Sequence, residues 1–185
     1  MPKRQFPPSE ALYPAPIVLI SCSDVDNQRA DIITIAWCGV ACSKPQLLSV
    51  SIRPSRHSYK LIKQTGDFVV NIPAKRLLKK VDMCGIRSGK DTDKFKLCSF
   101  TMRPSSKISS PMIEECPVNI ECRLKETLKL GSHDMFIGEV LAVHIDDAII
   151  DKEGRVDYKK AEPFVYNQGE YWDLGENIGS YGCSG

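Results

Sequence analysis

The turn Arg53-Pro54-Ser55-Arg56-His57-Ser58 gathers two guanidinium groups, two hydroxyls and a titratable ring, with Ser51 just upstream. Arginine presents a rigid fork of donors that matches phosphate oxygens. A helix opening near Ser58 adds unpaired backbone N–H groups and a partial positive charge. One phosphate here could collect several charge-assisted hydrogen bonds. The same residues also fit a solvated basic turn in which Ser55 or Ser58 caps the helix. Upstream, Ser49, Ser51 and Arg53 alternate with Leu48, Val50 and Ile52, so a polar strand face leads into the turn. Earlier still, Thr34-Ile35-Ala36-Trp37-Cys38 places small side chains at 34, 36 and 38 on one face. A flat ring could approach the backbone there, with Trp37 either walling a pocket or filling the core. The order suits a planar, apolar ring that carries a phosphate.

Strands and a short helix must position these groups, and the sequence pattern provides for both. Ile17 to Ser21 reads as a buried strand, and Asp24 to Asp31 as a polar turn. Ile32 to Cys38 and Leu47 to Arg53 alternate with strand period. Ser58 to Thr65 is a short helix ended by Gly66, and Phe68 to Ile72 is a strand closed by Pro73. Ala74 to Cys84 carries Leu77, Leu78 and Val81 on one helical face and is expected to stop at Gly85. The polar loop Arg87-Ser88-Gly89-Lys90-Asp91 precedes a second short helix, and Arg103 to Pro111 reads as an exposed excursion. Val118 to Leu130 and Met135 to Ile145, joined at Gly131-Ser132, form the strongest hairpin signal. Strand–helix alternation is absent, so the expectation is a mainly β barrel of about six strands with short helical insertions. Residues 1–185 are expected to form one domain.

Composition narrows the partners. A net charge of +2 and a pI of about 8.1 create no large field to recruit nucleic acid or an anionic membrane. No apolar run approaches the ~20 residues that cross a bilayer. The polar, proline-rich start MPKRQFPPSEALYP does not read as a secretory signal, and the expected location is cytoplasmic. The eight cysteines contain no CxxC pair, so they are read as reduced structural thiols and not as metal ligands. Cys38 is kept apart because it falls on the ring strand. Neither GxxxxGK[ST] nor GxSxG occurs, and the glycines of LGENIGSYG lack the strand and helix of a dinucleotide fingerprint. His133, in a Gly-Ser-His-Asp turn, and His144, on a strand, are assigned no catalytic or metal role.

Three segments in this order resemble the flavin reductase-like family of FMN-binding split barrels, and within it the flavoredoxins. They are Thr34-Ile35-Ala36-Trp37-Cys38, Ser51-Ile52-Arg53-Pro54-Ser55-Arg56-His57-Ser58 and Asp67-Phe68-Val69-Val70-Asn71-Ile72-Pro73. Ser88-Gly89-Lys90-Asp91 through Lys94-Phe95, and Tyr171-Trp172-Asp173-Leu174-Gly175, agree more weakly. The resemblance implies a homodimer of six-stranded, Greek-key split barrels, with non-covalent FMN near the subunit interface. Thr34, Ala36, Trp37 and Cys38 would then contact the isoalloxazine edge, partly by backbone. Ser49, Ser51 and Arg53 would line the ribityl and phosphate path. Ser55, Arg56, His57 and Ser58 would close around the phosphate, and Asn71 would sit beside the ring. Ser88, Lys90 and Asp91 would reach the cofactor or the partner subunit. The implied activity is oxidoreduction, passing electrons from NAD(P)H through FMN to a small molecule or redox protein. Two alternatives stand beside it: a flavoredoxin-type carrier reduced by a protein partner, and a non-catalytic module that binds flavin or another phosphorylated ligand.

Overall fold

The computed structural model describes all 185 residues. A short strand β1 (Ala15–Pro16) precedes β2 (Val18–Asp24), and a turn returns the chain as β3 (Arg29–Ile35). The isoleucines, valines and leucines here suit a pleated, buried surface. β3 ends at Ile35, the chain bends at Ala36 and Trp37, and Cys38 opens a separate strand, β4 (Cys38–Ser43). The single strand expected over 32–38 is therefore two strands with a corner between them. β4 turns into β5 (Gln46–Ile52), then α1 (His57–Thr65) ends at Gly66 as expected, in the left-handed conformation at φ 72°.

Next come β6 (Asp67–Ile72) and α2 (Leu78–Ile86). The helix passes through Gly85 instead of stopping there. With no side chain at that position, α2 lies close on β3; a Cβ would stand 3.4 Å from Thr34 Cβ. The remaining elements are α3 (Lys94–Leu97), β7 (Met102–Arg103), β8 (Met112–Ile113), β9 (Val118–Lys129), β10 (Asp134–Ile145), α4 (Tyr158–Ala161), β11 (Phe164–Asn167) and β12 (Glu170–Asp173). No helix is long and apolar enough to cross a membrane.

The main sheet runs in the order β3-β2-β6-β9-β10-β5-β4 with antiparallel neighbours. Register shifts at Ile137/Gly138 and Val140/Ala142 mark bulges in β10, which bend a strand and sharpen its twist. Gly138 gives its space to Phe68, whose Cζ would lie 2.6 Å from an added Cβ. Val18, Ile20, Ile33, Ile35, Val50, Ile52, Phe68, Cys122 and Phe136 share one buried cluster, so six strands turn a face to a common interior. Ser51 N–H donates to Trp37 O at 2.8 Å, one rung beyond the β4–β5 pairing, so the corner ties β5 to the end of β3. The result is a mainly β barrel, split between β3 and β5. A second core packs α2, α3 and β11 against β2 and β3 through Leu19, Ile32, Val81, Phe95 and Phe164.

Several buried polar residues in these strands lock the core and a loop. Asn71 is a correction to the sequence reading. It is fully buried, and its Nδ2 donates to Leu19 O and Ser21 Oγ at 2.9 Å. Its Oδ1 accepts from Ile113 N–H at 3.0 Å and from Asn119 Nδ2 at 2.8 Å. Its bonding capacity is filled by the core. The 103–111 excursion is likewise anchored: Asp67 accepts from the N–H and hydroxyl groups of Ser109 and Ser110, and Glu121 from those of Ser106 and from Lys107 N–H.

Candidate functional site

The split opens onto a cleft of about 540 Å³. Its floor is the end of β3 with the following corner, from Ile33 to Trp37, and its far side is Ser51, Ile52 and Arg53. The volume falls within the ~300–1,000 Å³ usual for small-molecule sites. The amide N–H groups of Ala36 and Trp37 have no backbone acceptor, so the corner offers two donors at the floor. Thr34 does not: its hydroxyl donates to Val81 O at 2.5 Å and so ties β3 to α2.

An aromatic wall rises on one side. The Trp37 ring stacks with His133 at 6.1 Å and 15° and lies 6.1 Å from Tyr166. Tyr171 packs edge-on to Tyr166 and donates to Asp82 Oδ1 at 2.9 Å. Burial and the Asp82 carboxylate push its phenol up to about 12. His133 sits where the β9–β10 turn reaches the cleft. Burial, then the nearby Arg53 and Arg56 cations, hold its imidazole below the ordinary value. It is therefore neutral at pH 7. The sequence offered only a turn signal at this histidine, and the tyrosines come from strands distant in the chain.

One end of the cleft narrows into a 60 Å³ cradle, shared through Ile33, Arg56 and Gly85. Ser55, Arg56, His57 and Ser58 line it from the start of α1, and Arg87, Ser88 and Gly89 from the loop after α2. No side chain caps α1. The N–H groups of His57, Ser58, Ser88 and Gly89 have no backbone acceptor. His57 Nε2 is buried without a hydrogen bond; Asp24 Oδ2, at 3.6 Å, is beyond hydrogen-bond reach. Converging unpaired N–H groups, a guanidinium and a buried imidazole form a nest for an anion. A phosphate group fits this donor set.

Beneath the cradle lies a buried ionic pair. Asp31 and Lys94 are 3% and 2% exposed, with Oδ1 and Nζ 3.2 Å apart. Asp31 Oδ2 accepts from Ser58 Oγ at 2.5 Å, while Lys94 Nζ also donates to the carbonyls of Ile32 and Cys84. Arg29 bonds Asp24 at 3.1 Å and Gly89 O at 3.2 Å. These contacts fix the start of α1 against the loop after α2. Lys94 and Asp31 escaped the sequence reading because a charged residue in a strand or short helix carries no sign of its burial.

The expected residues divide into four groups. Thr34, Ala36, Trp37, Ser51 and Arg53 line the cleft, and Ser55, Arg56, His57, Ser58 and Ser88 line the cradle. Cys38 and Ser49 face a neighbouring hollow of about 730 Å³, which shares Ala36, Trp37 and Ser51 with the cleft. Burial pushes the Cys38 thiol up to about 12, so it is no reactive thiolate. Lys90 and Asp91 are exposed on their loop, and Asn71 is in the core; none of the three lines the cleft or the cradle.

Residues 10–175 match the flavin reductase like domain. An uncharacterised protein of Archaeoglobus fulgidus is 39% identical over 150 residues, covering 81% of this chain and 83% of the relative. The flavoredoxin of Desulfovibrio vulgaris (Miyazaki F) superposes with a TM-score of 0.90 at 30% identity, covering 96% of each chain. A flavoredoxin from Methanosarcina acetivorans superposes with a TM-score of 0.90 at 29% identity, covering 97% of this chain and 95% of that one.

Proposed function

The chain belongs to the flavin reductase-like domain family, and from that premise we propose that it binds FMN non-covalently and passes electrons from NAD(P)H to an acceptor. The observation that carries this reading is the continuous path from the Ala36–Trp37 corner to the Arg56 cradle. The corner N–H groups would meet the polar edge of the isoalloxazine. Ser51 and Arg53 would follow the ribityl chain, and Arg56, Ser55, His57 and the α1 N-terminus would hold the phosphate. Bound FMN supplies the hydride and electron chemistry. The chain's own part is to fix the ring against β3, flank it with Trp37 and neutral His133, and limit water at the Tyr166 wall.

A second reading is favoured by the likeness to the two flavoredoxins: an electron carrier reduced by a protein. We also read the protein as a homodimer. β4 is an edge strand with Val40 80% exposed, a ready template for pairing with a second copy. Anaerobic mixing of FMN-loaded protein with NADH and NADPH tests the route. Bleaching of the flavin is the expected result. No bleaching by either nucleotide, with reduction by a low-potential redox protein, would shift the assignment to the carrier. Protein that takes up no FMN would overturn both.

A further inference from the structure

Outside the cleft, one pair of buried thiols lies close enough for chemistry that the flavin reading does not use. Cys84 Sγ and Cys98 Sγ lie 3.7 Å apart within the second core. Cys84 shares the inner side of α2 with Val81, and Cys98 directly follows α3. A disulfide needs ~2.05 Å between its sulfurs, a closure that modest side-chain movement can supply. The two positions bracket the segment holding Gly85, Arg87, Ser88, Gly89 and Lys94, all of which line the cradle.

We propose that Cys84 and Cys98 form a reversible dithiol–disulfide pair that, on oxidation by a hydroperoxide, staples α2 to α3 and locks the cradle loop. Cys98 is 5% exposed, beneath the Lys80 side chain that reaches Ser99 O, and it meets the oxidant first. Its sulfur takes the terminal oxygen of the peroxide, giving a sulfenic acid and one water. Cys84 sulfur then attacks the Cys98 sulfur; the S–O bond breaks, and the hydroxide leaves as a second water with the Cys84 proton. Two thiols are oxidised to one disulfide, and one hydrogen peroxide is reduced to two waters. Cys84 suits the second role, since burial and then neighbouring Cys98 push its thiol up and keep it protonated at rest. A thiol reductant reverses the bridge. The cross-link closes a short loop and restricts its opening. It stands independently of the flavin; only its effect on cofactor release rests on the function proposed above.

The test treats the full chain with hydrogen peroxide, then counts thiols in denaturant and maps the peptides. The expected result is a fall from eight free thiols to six, with one peptide joining Cys84 to Cys98 that dithiothreitol separates. Oxidised protein should melt several degrees higher, and FMN should dissociate several-fold more slowly. Cys98→Ala should abolish the cross-link and both effects, and Cys84→Ala serves equally if the first variant folds poorly. Eight thiols persisting, or a bridge joining other cysteines, would overturn the pair. A correct bridge with unchanged melting and unchanged release would overturn the lock.

Discussion

Gly89→Ala should cost about 3 kcal/mol of stability and weaken FMN binding about a hundredfold. A Cβ at this position would stand 2.0 Å from Asp31 Oδ1 and 2.3 Å from its Cγ. The carboxylate cannot yield freely, because Ser58 and Lys94 hold it in a buried site. Relief must come either from the loop moving outward or from the ion pair opening. Overpacking costs ~1–3 kcal/mol, and disrupting a buried pair ~3–5 kcal/mol. The first route moves Ser88 and the Gly89 N–H away from the start of α1, and the second releases Ser58 from Asp31, so either way the cradle loses its shape. Denaturant unfolding and flavin fluorescence read the two effects separately. Gly175→Ala is the control, since an added Cβ there meets nothing within 4 Å. Equal behaviour of both variants would show that the Asp31 contact does not shape the cradle.

Glu121→Ala should destabilise the fold by about 3–5 kcal/mol, the scale of breaking a buried charge network. Glu121 is fully buried, and its oxygens accept from Ser106 N–H at 2.7 Å, Lys107 N–H at 2.7 Å and His144 Nε2 at 2.6 Å. Alanine leaves those donors without an acceptor and frees the 103–111 loop, which should become sensitive to protease. The same carboxylate carries a pH signature. Burial acts to raise its pKa, but the N–H groups of Ser106 and Lys107, with the Ser106 hydroxyl and His144, outweigh burial and hold it below the usual carboxylate range. Its stabilisation is therefore complete above the unfolded value of about 4.3 and lost as pH falls through the lower folded value. Wild-type stability should drop steeply below about pH 4, while the variant's curve should flatten there. A variant as stable as wild type at pH 7 would contradict the anchoring role.

Much of the site was legible because local rules govern it. Residue type alone marks Arg53 to Ser58 as a basic, hydroxyl-rich turn that suits an anion or solvent, and Gly66 marks the end of α1 where the left-handed cap is found. The barrel strands follow from alternation and β-branched content. Other features depend on what the fold brings together. Alternation runs unbroken through Trp37 and Cys38, so nothing local announces the corner after Ile35. β4, as Cys-Gly-Val-Ala-Cys-Ser, is too small and glycine-bearing to signal a strand. Asn71 looked like a ligand because a polar residue in an apolar strand has two uses, and only tertiary neighbours distinguish a core lock from a binding group. His133 and Tyr166 reach the cleft through hairpins whose destinations the sequence does not encode locally.

The measurement that bears most directly on the central claim compares FMN with riboflavin, which lacks the phosphate, on wild-type protein and on Arg56→Ala. Arg56 is the guanidinium that lines the cradle from the start of α1, so its loss should fall chiefly on the phosphate. Wild type should bind FMN about a hundredfold more tightly than riboflavin, near 2.7 kcal/mol, within the range of one or two charged hydrogen bonds. Arg56→Ala should remove most of that difference and leave riboflavin affinity unchanged. Equal affinity for the two flavins, or an equal loss of both in the variant, would place the phosphate elsewhere and contradict the assignment.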